Sequence, residues 1–260
     1  RATGSGIDES AGEGRNHPMK LCLFGSEGKM GRLIREEAGD SVVVCYDRLP
    51  PGLKADTPIP EEVDVVIDFS LPSAWNDLDR LLSPSSAALV TGTTGLGYTE
   101  KEMIARWARN RAVFVSSNMS MGIYVLGKLL ASAAKMLAGD FDLEIVECHH
   151  SNKVDSPSGT ALTLFDIWEK NGGGGKKIFG RSGQTGSRPE GETGIHSLRG
   201  GDVVGDHQLY LLGKGERLLL SHSATGRRTF AAGALKAAEF VNNKPPGVYT
   251  MDDMMQSGAD

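Results

Sequence analysis

No apolar run in the sequence approaches the roughly 18 residues that would cross a bilayer, which excludes a membrane-spanning helix. Positive charge is also short. Lys and Arg number 28 against 33 Asp and Glu, a net charge of -5, so no global field exists to hold a phosphate backbone, and any anion must be bound by a local site. That argues against a nucleic-acid partner. Cysteine is scarce: Cys22, Cys45 and Cys148 lie far apart, with no C-x-x-C pair. This spacing suits neither a disulfide framework nor a zinc knuckle, and the three read as inert core thiols in a reducing cytoplasm. The 39% hydrophobic content of 260 residues is enough for one large core or two modest ones, and the length favours two domains.

Residues 1–18 are rich in Gly, Ser and acids and have neither the apolar stretch of a signal peptide nor the Arg/Ser pattern of a transit peptide. They read as a disordered leader or tag. From Met19 the pattern is strand (21–24), Gly-rich turn (25–31), helix (33–38) and strand (42–46). Further apolar strand-like runs follow at 63–67, 87–90 and 112–115, separated by helical stretches at 73–82 and 99–110. Fully apolar strands alternating with helices predict a Rossmann-like, doubly wound parallel sheet. After residue 119 the alternation stops. A long apolar helix over 121–137 is followed later by strand-like runs at 194–198, 203–212 and 217–223 with little helix between them, which predicts a smaller α+β domain with a mixed sheet. Residues 171–192 read as a mobile loop whose glycine run, 172–175, cannot pack a core. A final helix is expected over 227–241. The domains expected are 19–119, dinucleotide-binding and completed by about 227–260, and 120–226, for substrate and oligomerisation.

The turn Gly25-Ser26-Glu27-Gly28-Lys29-Met30-Gly31 lies between a strand and a helix, where bare backbone can approach a pyrophosphate and free N–H groups with the helix dipole favour its charge. Its spacing is G-x-x-G-x-x-G, and a helix start that binds nothing is the alternative. Glu27 is an awkward neighbour for a pyrophosphate unless it points outward. Asp47-Arg48, about twenty residues on, fall where an acid accepts from ribose hydroxyls and an Arg pairs a 2′-phosphate, which suggests NADH and NADPH alike; an ordinary surface ion pair is the other reading. Gly92-Thr93-Thr94-Gly95 and Ser116-Ser117-Asn118-Met119 fall at the C-terminal ends of two further parallel strands, where ligands bind in open α/β sheets.

The segment Glu147-Cys148-His149-His150-Ser151-Asn152-Lys153-Val154-Asp155-Ser156-Pro157-Ser158-Gly159-Thr160 concentrates donors after a strand and then opens a helix. Ser158, Gly159 and Thr160 thereby offer hydroxyls and free N–H groups to a small carboxylate. Zinc is the other use of paired imidazoles, but no further His or Cys follows at ligand spacing and Lys153 would repel the ion. For a reductase, hydride arrival at a conjugated C=N leaves electron density that a nearby imidazolium or ammonium can protonate.

This segment resembles the dihydrodipicolinate reductase signature E-x-H-H-x-x-K-x-D-x-P-S-G-T-A, and the likeness runs from the Gly turn through G-T-T-G and S-S-N-M-S-M-G to G-I-H-S-L-R-G-G-D-V-V-G-D-H and G-V-Y-T-M-D-D-M-M. The resemblance implies that His149 gives or accepts a proton, that Lys153 donates one, and that His150, Gly159 and Thr160 hold substrate carboxylates with help from Ser158. It further implies a nucleotide site of Gly25 through Met30, Asp47, Arg48, Gly92 to Thr94 and Ser116 to Met119. The implied substrate is a small cyclic dicarboxylate, the cofactor NADPH and/or NADH, and the assembly a homotetramer built on the second sheet. Ser26-Glu27, Ser116-Ser117 and Met119 depart from the family's usual residues on the cofactor side. Another two-domain Rossmann dehydrogenase would share the nucleotide half but not the H-H-x-x-K segment, and a catalytically silent sensor would not need His149 and Lys153.

Overall fold

The computed structural model describes residues 18–48, 52 and 56–257, so the leader lies outside the described residues except for Pro18. The first half is a parallel sheet with helices between its strands: β1 (Leu21–Phe24), α1 (Lys29–Ala38), β2 (Val42–Tyr46), β3 (Val65–Asp68), α2 (Trp75–Leu82), β4 (Ala88–Thr91), α3 (Tyr98–Trp107) and β5 (Ala112–Val115). The second half holds α4 (Met121–Leu137), β6 (Asp142–His149), α5 (Gly159–Lys170), β7 (Lys176–Phe179), β8 (Glu192–Arg199), β9 (Gly205–Leu212) and β10 (Arg217–Ala224). The chain ends with α6 (Arg228–Val241), β11 (Gly247–Tyr249) and α7 (Met251–Gln256).

The strand order β11-β5-β4-β3-β1-β2, with every pairing parallel, is the expected Rossmann-like sheet. β1, β3 and β4 are buried along their whole length, because helices cover both faces and leave no solvent side for polar alternation. Helix α6 packs on this sheet: Ala231, Ala234, Ala237 and Ala238 join Leu23, Ile67, Val90 and Phe114 in one core cluster. The short β11 pairs with β5, a strand that the sequence reading did not anticipate.

The second sheet is mixed, in the order β10-β9-β6-β8-β7, with β6, β8 and β7 parallel and β9 and β10 antiparallel. Along β6 the buried face reads Leu143, Ile145, Glu147, His149, and along β9 it reads Leu211, Leu209, His207 toward the same end. Period-two alternation thus carries one face from hydrocarbon, packed under α4 and α5, to ionisable groups at its rim.

The 171–192 stretch is not the loop expected. It contains β7, and its glycines are needed for close packing: a Cβ on Gly173 would fall 2.0 Å from the Trp168 indole, and one on Gly174 would fall 2.6 Å from the Gly191 carbonyl.

Candidate active site

The first sheet delivers its loops to one edge by register. Phe24 is level with Tyr46 and Asp68, Asp68 with Thr91, and Thr91 with Val115, so Gly25, Asp47, Phe69, Gly92 and Ser116 all leave the sheet at its C-terminal edge. Gly25 has φ of 83°, a conformation open to glycine, and a Cβ there would meet the Phe69 carbonyl at 2.7 Å. A Cβ on Gly31 would lie 2.3 Å from the Gly25 carbonyl oxygen. The turn therefore folds tightly against the start of α1, whose N-cap, Gly28, supplies no capping side chain. Uncapped helix N–H groups at a glycine cradle fit a pyrophosphate.

A cleft of about 670 Å³ opens there, lined by Gly25, Glu27, Gly28, Asp47 and Arg48 with Phe69, Ser70, Leu71 and Ala74 among others. The Glu27 carboxylate is turned to Arg32 and Arg35 on α1, at 3.3 and 3.2 Å. Its N–H donates to Asp47 Oδ2 at 2.8 Å. Ser26 is fully buried, Met30 packs against the core, and Met119 is buried in it. None of these three lines the cleft.

Behind the loops stands Asp68, a residue that the sequence reading passed over. Its fully buried carboxyl accepts from Ser70 N–H (3.0 Å), Thr91 Oγ1 (2.7 Å), Thr93 Oγ1 (2.8 Å) and Trp75 Nε1 (3.2 Å), fastening the loops after β3 and β4 to each other. Burial raises its pKa, and the Ser70, Thr91 and Thr93 hydrogen bonds oppose the rise.

A second cleft, of about 1150 Å³, joins the two halves. Thr94, Gly95, Ser116, Ser117 and Asn118 line one part; His149, Lys153, Ser158, Gly159 and Thr160 line another. Asn118 Nδ2 donates to Thr160 Oγ1 across them at 3.1 Å. Gly92 and Thr93 lie just behind: a Cβ on Gly92 would strike the Phe69 ring, and Thr93 is buried on Asp68. His150 does not line this cleft; its Nδ1 is buried without a partner among the described residues.

The rim of the second sheet organises His149. Its Nδ1 lies 2.6 Å from Glu147 Oε2. Glu147 is fully buried, and burial works against its charge, but Arg199 binds both carboxylate oxygens at 2.8 Å and Ser158 N–H adds a bond at 3.1 Å. Its pKa is held down at about 2, so it is ionised and can only accept. The His149 hydrogen on Nδ1 is thereby fixed, leaving Nε2 for proton exchange. Lys153 Nζ donates to Asp155 Oδ1 at 2.8 Å.

His207 completes the rim. Burial first, and then the His149 charge, lower its pKa to about 4, so the ring is neutral near pH 7. Its Nδ1 has no partner among the described residues, which assigns the ring hydrogen to Nε2, 3.1 Å from Ser158 Oγ. That oxygen also accepts from Ala161 N–H at 3.1 Å as the α5 N-cap. The Ser158 hydrogen is left free for an acceptor in the cleft.

Two family profiles match the chain: "Dihydrodipicolinate reductase, N-terminus" over residues 52–119 and "Dihydrodipicolinate reductase, C-terminus" over residues 122–255. The chain belongs to the dihydrodipicolinate reductase family. Curated relatives agree. The 4-hydroxy-tetrahydrodipicolinate reductase of Clostridium tetani is 41% identical, covering 92% of this chain and 98% of that protein, and that of Caldanaerobacter subterraneus is 39% identical, covering 92% and 99%. Among solved structures, dipicolinate-bound dihydrodipicolinate reductase from Paenisporosarcina sp. TG-14 superposes with a TM-score of 0.70 at 22% identity, covering 90% of this chain and 98% of that one, a likeness of fold. As a member of this reductase family the chain is an oxidoreductase.

Proposed function

We propose that the chain reduces 4-hydroxy-tetrahydrodipicolinate, or its dehydrated form dihydrodipicolinate, to tetrahydrodipicolinate with NADH or NADPH, in lysine and diaminopimelate biosynthesis. The observation that carries this reading is the shared cleft: nucleotide-side loops ending in Asn118 and the donor segment from His149 to Thr160 line one space and touch through the Asn118–Thr160 hydrogen bond. Asp47 and Arg48 would hold the adenosine ribose, the cradle from Gly25 to Met30 the pyrophosphate, and Thr94 and Ser116 to Asn118 the nicotinamide end. When bound, the reduced nicotinamide supplies the hydride.

The substrate needs anchors for two carboxylates and a proton source. The N–H groups of Gly159 and Thr160 opening α5 and the free hydroxyl of Ser158 meet the first need. Beside Gly159 a Cβ would meet nothing within 4 Å, so that backbone is open to a ligand. His150 would reach a carboxylate only through movement of its segment. Lys153, an ammonium on the cleft wall, gives the proton that follows the hydride, and His149 Nε2 gives or accepts a proton with Glu147 balancing its charge. Water exclusion requires the two halves to close on the ligands.

The working units in this reading are residues 19–119 with about 227–260 for the nucleotide and 120–226 for substrate and assembly. The exposed Phe179, Leu198, Leu218 and Leu219 on the strands of the second sheet support a homotetramer formed there, in the cytoplasm. Among the described residues no helix is long and apolar enough to cross a membrane.

The test is Lys153→Met, assayed with substrate generated from pyruvate and aspartate semialdehyde. Turnover should fall on the order of 10²-fold or more with nucleotide affinity retained; undiminished turnover would remove Lys153 from the mechanism.

A further inference from the structure

The two proton-active groups of the proposed reaction stand on different supports, His149 at the end of β6 and Lys153 on the segment beyond it, and one side chain reaches both supports. Arg199 ends β8 level with His149 on the neighbouring strand. Its Nη1 and Nη2 each donate to one Glu147 oxygen at 2.8 Å, and Glu147 Oε2 is the atom 2.6 Å from His149 Nδ1. Nη2 also donates to the Asp155 carbonyl at 2.7 Å, and Nη1 to the Leu198 carbonyl at 2.6 Å. Asp155 in turn accepts from Lys153 Nζ through its side chain, at 2.8 Å. All four terminal hydrogens of the guanidinium are thereby committed, so the planar fork has a single orientation. The clamp is no surface pair: the Glu147 side chain is 0% exposed and that of Arg199 20%, so solvent screens it little. Arg199 does not line the cleft, and it acts on a substrate there only through the groups it holds.

We propose that Arg199 is the positioning residue shared by both proton-active groups: its fork fixes Glu147, and with it His149, while its bond to the Asp155 carbonyl fixes the turn that aims Lys153. The proposal rests on the reductase reading given above. The two groups are made interdependent, because a shift of the guanidinium that spoils one hold spoils the other. Charge enters as well. Facing His149 are Glu147 on its own strand, Arg199 from β8 behind that carboxylate, His207 from β9 with ring centroids 5.3 Å apart, and Lys153 on the same cleft wall. Loss of the guanidinium takes a positive charge from this group and makes protonation of its members easier.

The test is a double-mutant cycle on steady-state turnover, with substrate generated from pyruvate and aspartate semialdehyde, for the wild-type full chain, Arg199→Met, Lys153→Met and the two combined. Arg199→Met should lower kcat about 10- to 100-fold, leave the nucleotide KM unchanged, and displace the pH–kcat profile to higher pH. Its loss should be severalfold smaller in the Lys153→Met background, because part of what Arg199 does is done through Lys153. Arg199→Lys should keep the pH profile in place yet recover kcat only in part, since one ammonium cannot reproduce the planar fork. Should Arg199→Met fold poorly, the same cycle is run with Arg199→Lys. Losses that multiply in full, a pH profile unmoved in Arg199→Met, or full recovery by Arg199→Lys would overturn the proposal while leaving the reductase reading intact. A wild-type chain that binds nucleotide and never oxidises it would instead overturn the reductase reading itself, and this proposal with it.

Discussion

Glu147 holds the site together at the scale of single residues, because one carboxylate receives Arg199, His149 and the Ser158 N–H at once. Replacing it by Gln keeps its size but removes the charge that balances a protonated His149 and the acceptor that fixes its tautomer. Turnover should fall about 10- to 100-fold, the usual cost of losing a group that orients an active imidazole, with nucleotide affinity unchanged in a fluorescence titration. His207 makes a prediction in pH. Its pKa is depressed in the folded chain, from 6.5 to about 4, so the unfolded chain binds the proton first as pH falls. Its contribution to stability is complete above about pH 6.5 and is lost progressively toward pH 4. His207→Gln should flatten that part of the Tm-against-pH curve, and an unchanged slope would show that His207 titrates normally. Below that window Glu147, held near 2, supplies the next loss of stability between about pH 4.5 and 2. His149, Lys153 and the Ser158-to-Thr160 helix start were legible in sequence because they are contiguous. Arg199 and His207 fell within the late family motif but were given no role, since they reach Glu147 and Ser158 across 52 and 49 residues, and only the pairing register of β6 with β8 and β9 brings them there.

The central device at the scale of elements is the level C-terminal edge of the first sheet, with Asp68 holding its loops. Removing this carboxyl with Asp68→Ala strands two threonine hydroxyls, an indole N–H and a backbone N–H in a buried space. This should cost about 3 kcal/mol or more in chemical denaturation and weaken nucleotide binding, with Asp68→Asn the milder change; equal stability of Asp68→Ala and wild type would deny it the role. The alternation of apolar strands and helices was enough to read this sheet, because a doubly covered parallel sheet imposes that pattern at every strand. The glycine run before β7 was misread for an equally physical reason: composition does not distinguish glycine chosen for freedom from glycine chosen for closeness. Gly174→Ala should destabilise the chain by roughly 1–3 kcal/mol through contact with the Gly191 carbonyl, measured by urea denaturation, whereas a truly mobile loop would tolerate it without loss. The short β11 escaped sequence reading because three residues carry no periodicity.

On the scale of the molecule, the account turns on two halves meeting at one cleft, with helix α6 returning to the first sheet and so tying the late part of the chain to its beginning. On the proposed reading neither half would perform a reduction alone: the Gly25 turn and Asp47 would bind the nucleotide without a proton source, and the His149-to-Thr160 segment would supply donors without a hydride. The most direct test is a coupled assay in which pyruvate and aspartate semialdehyde are condensed enzymatically, the full chain is added, and the absorbance of NADH or NADPH is followed. The account predicts nucleotide oxidation that depends on the condensation product. Bound nucleotide that is never oxidised, whatever the supply of that product, would contradict it.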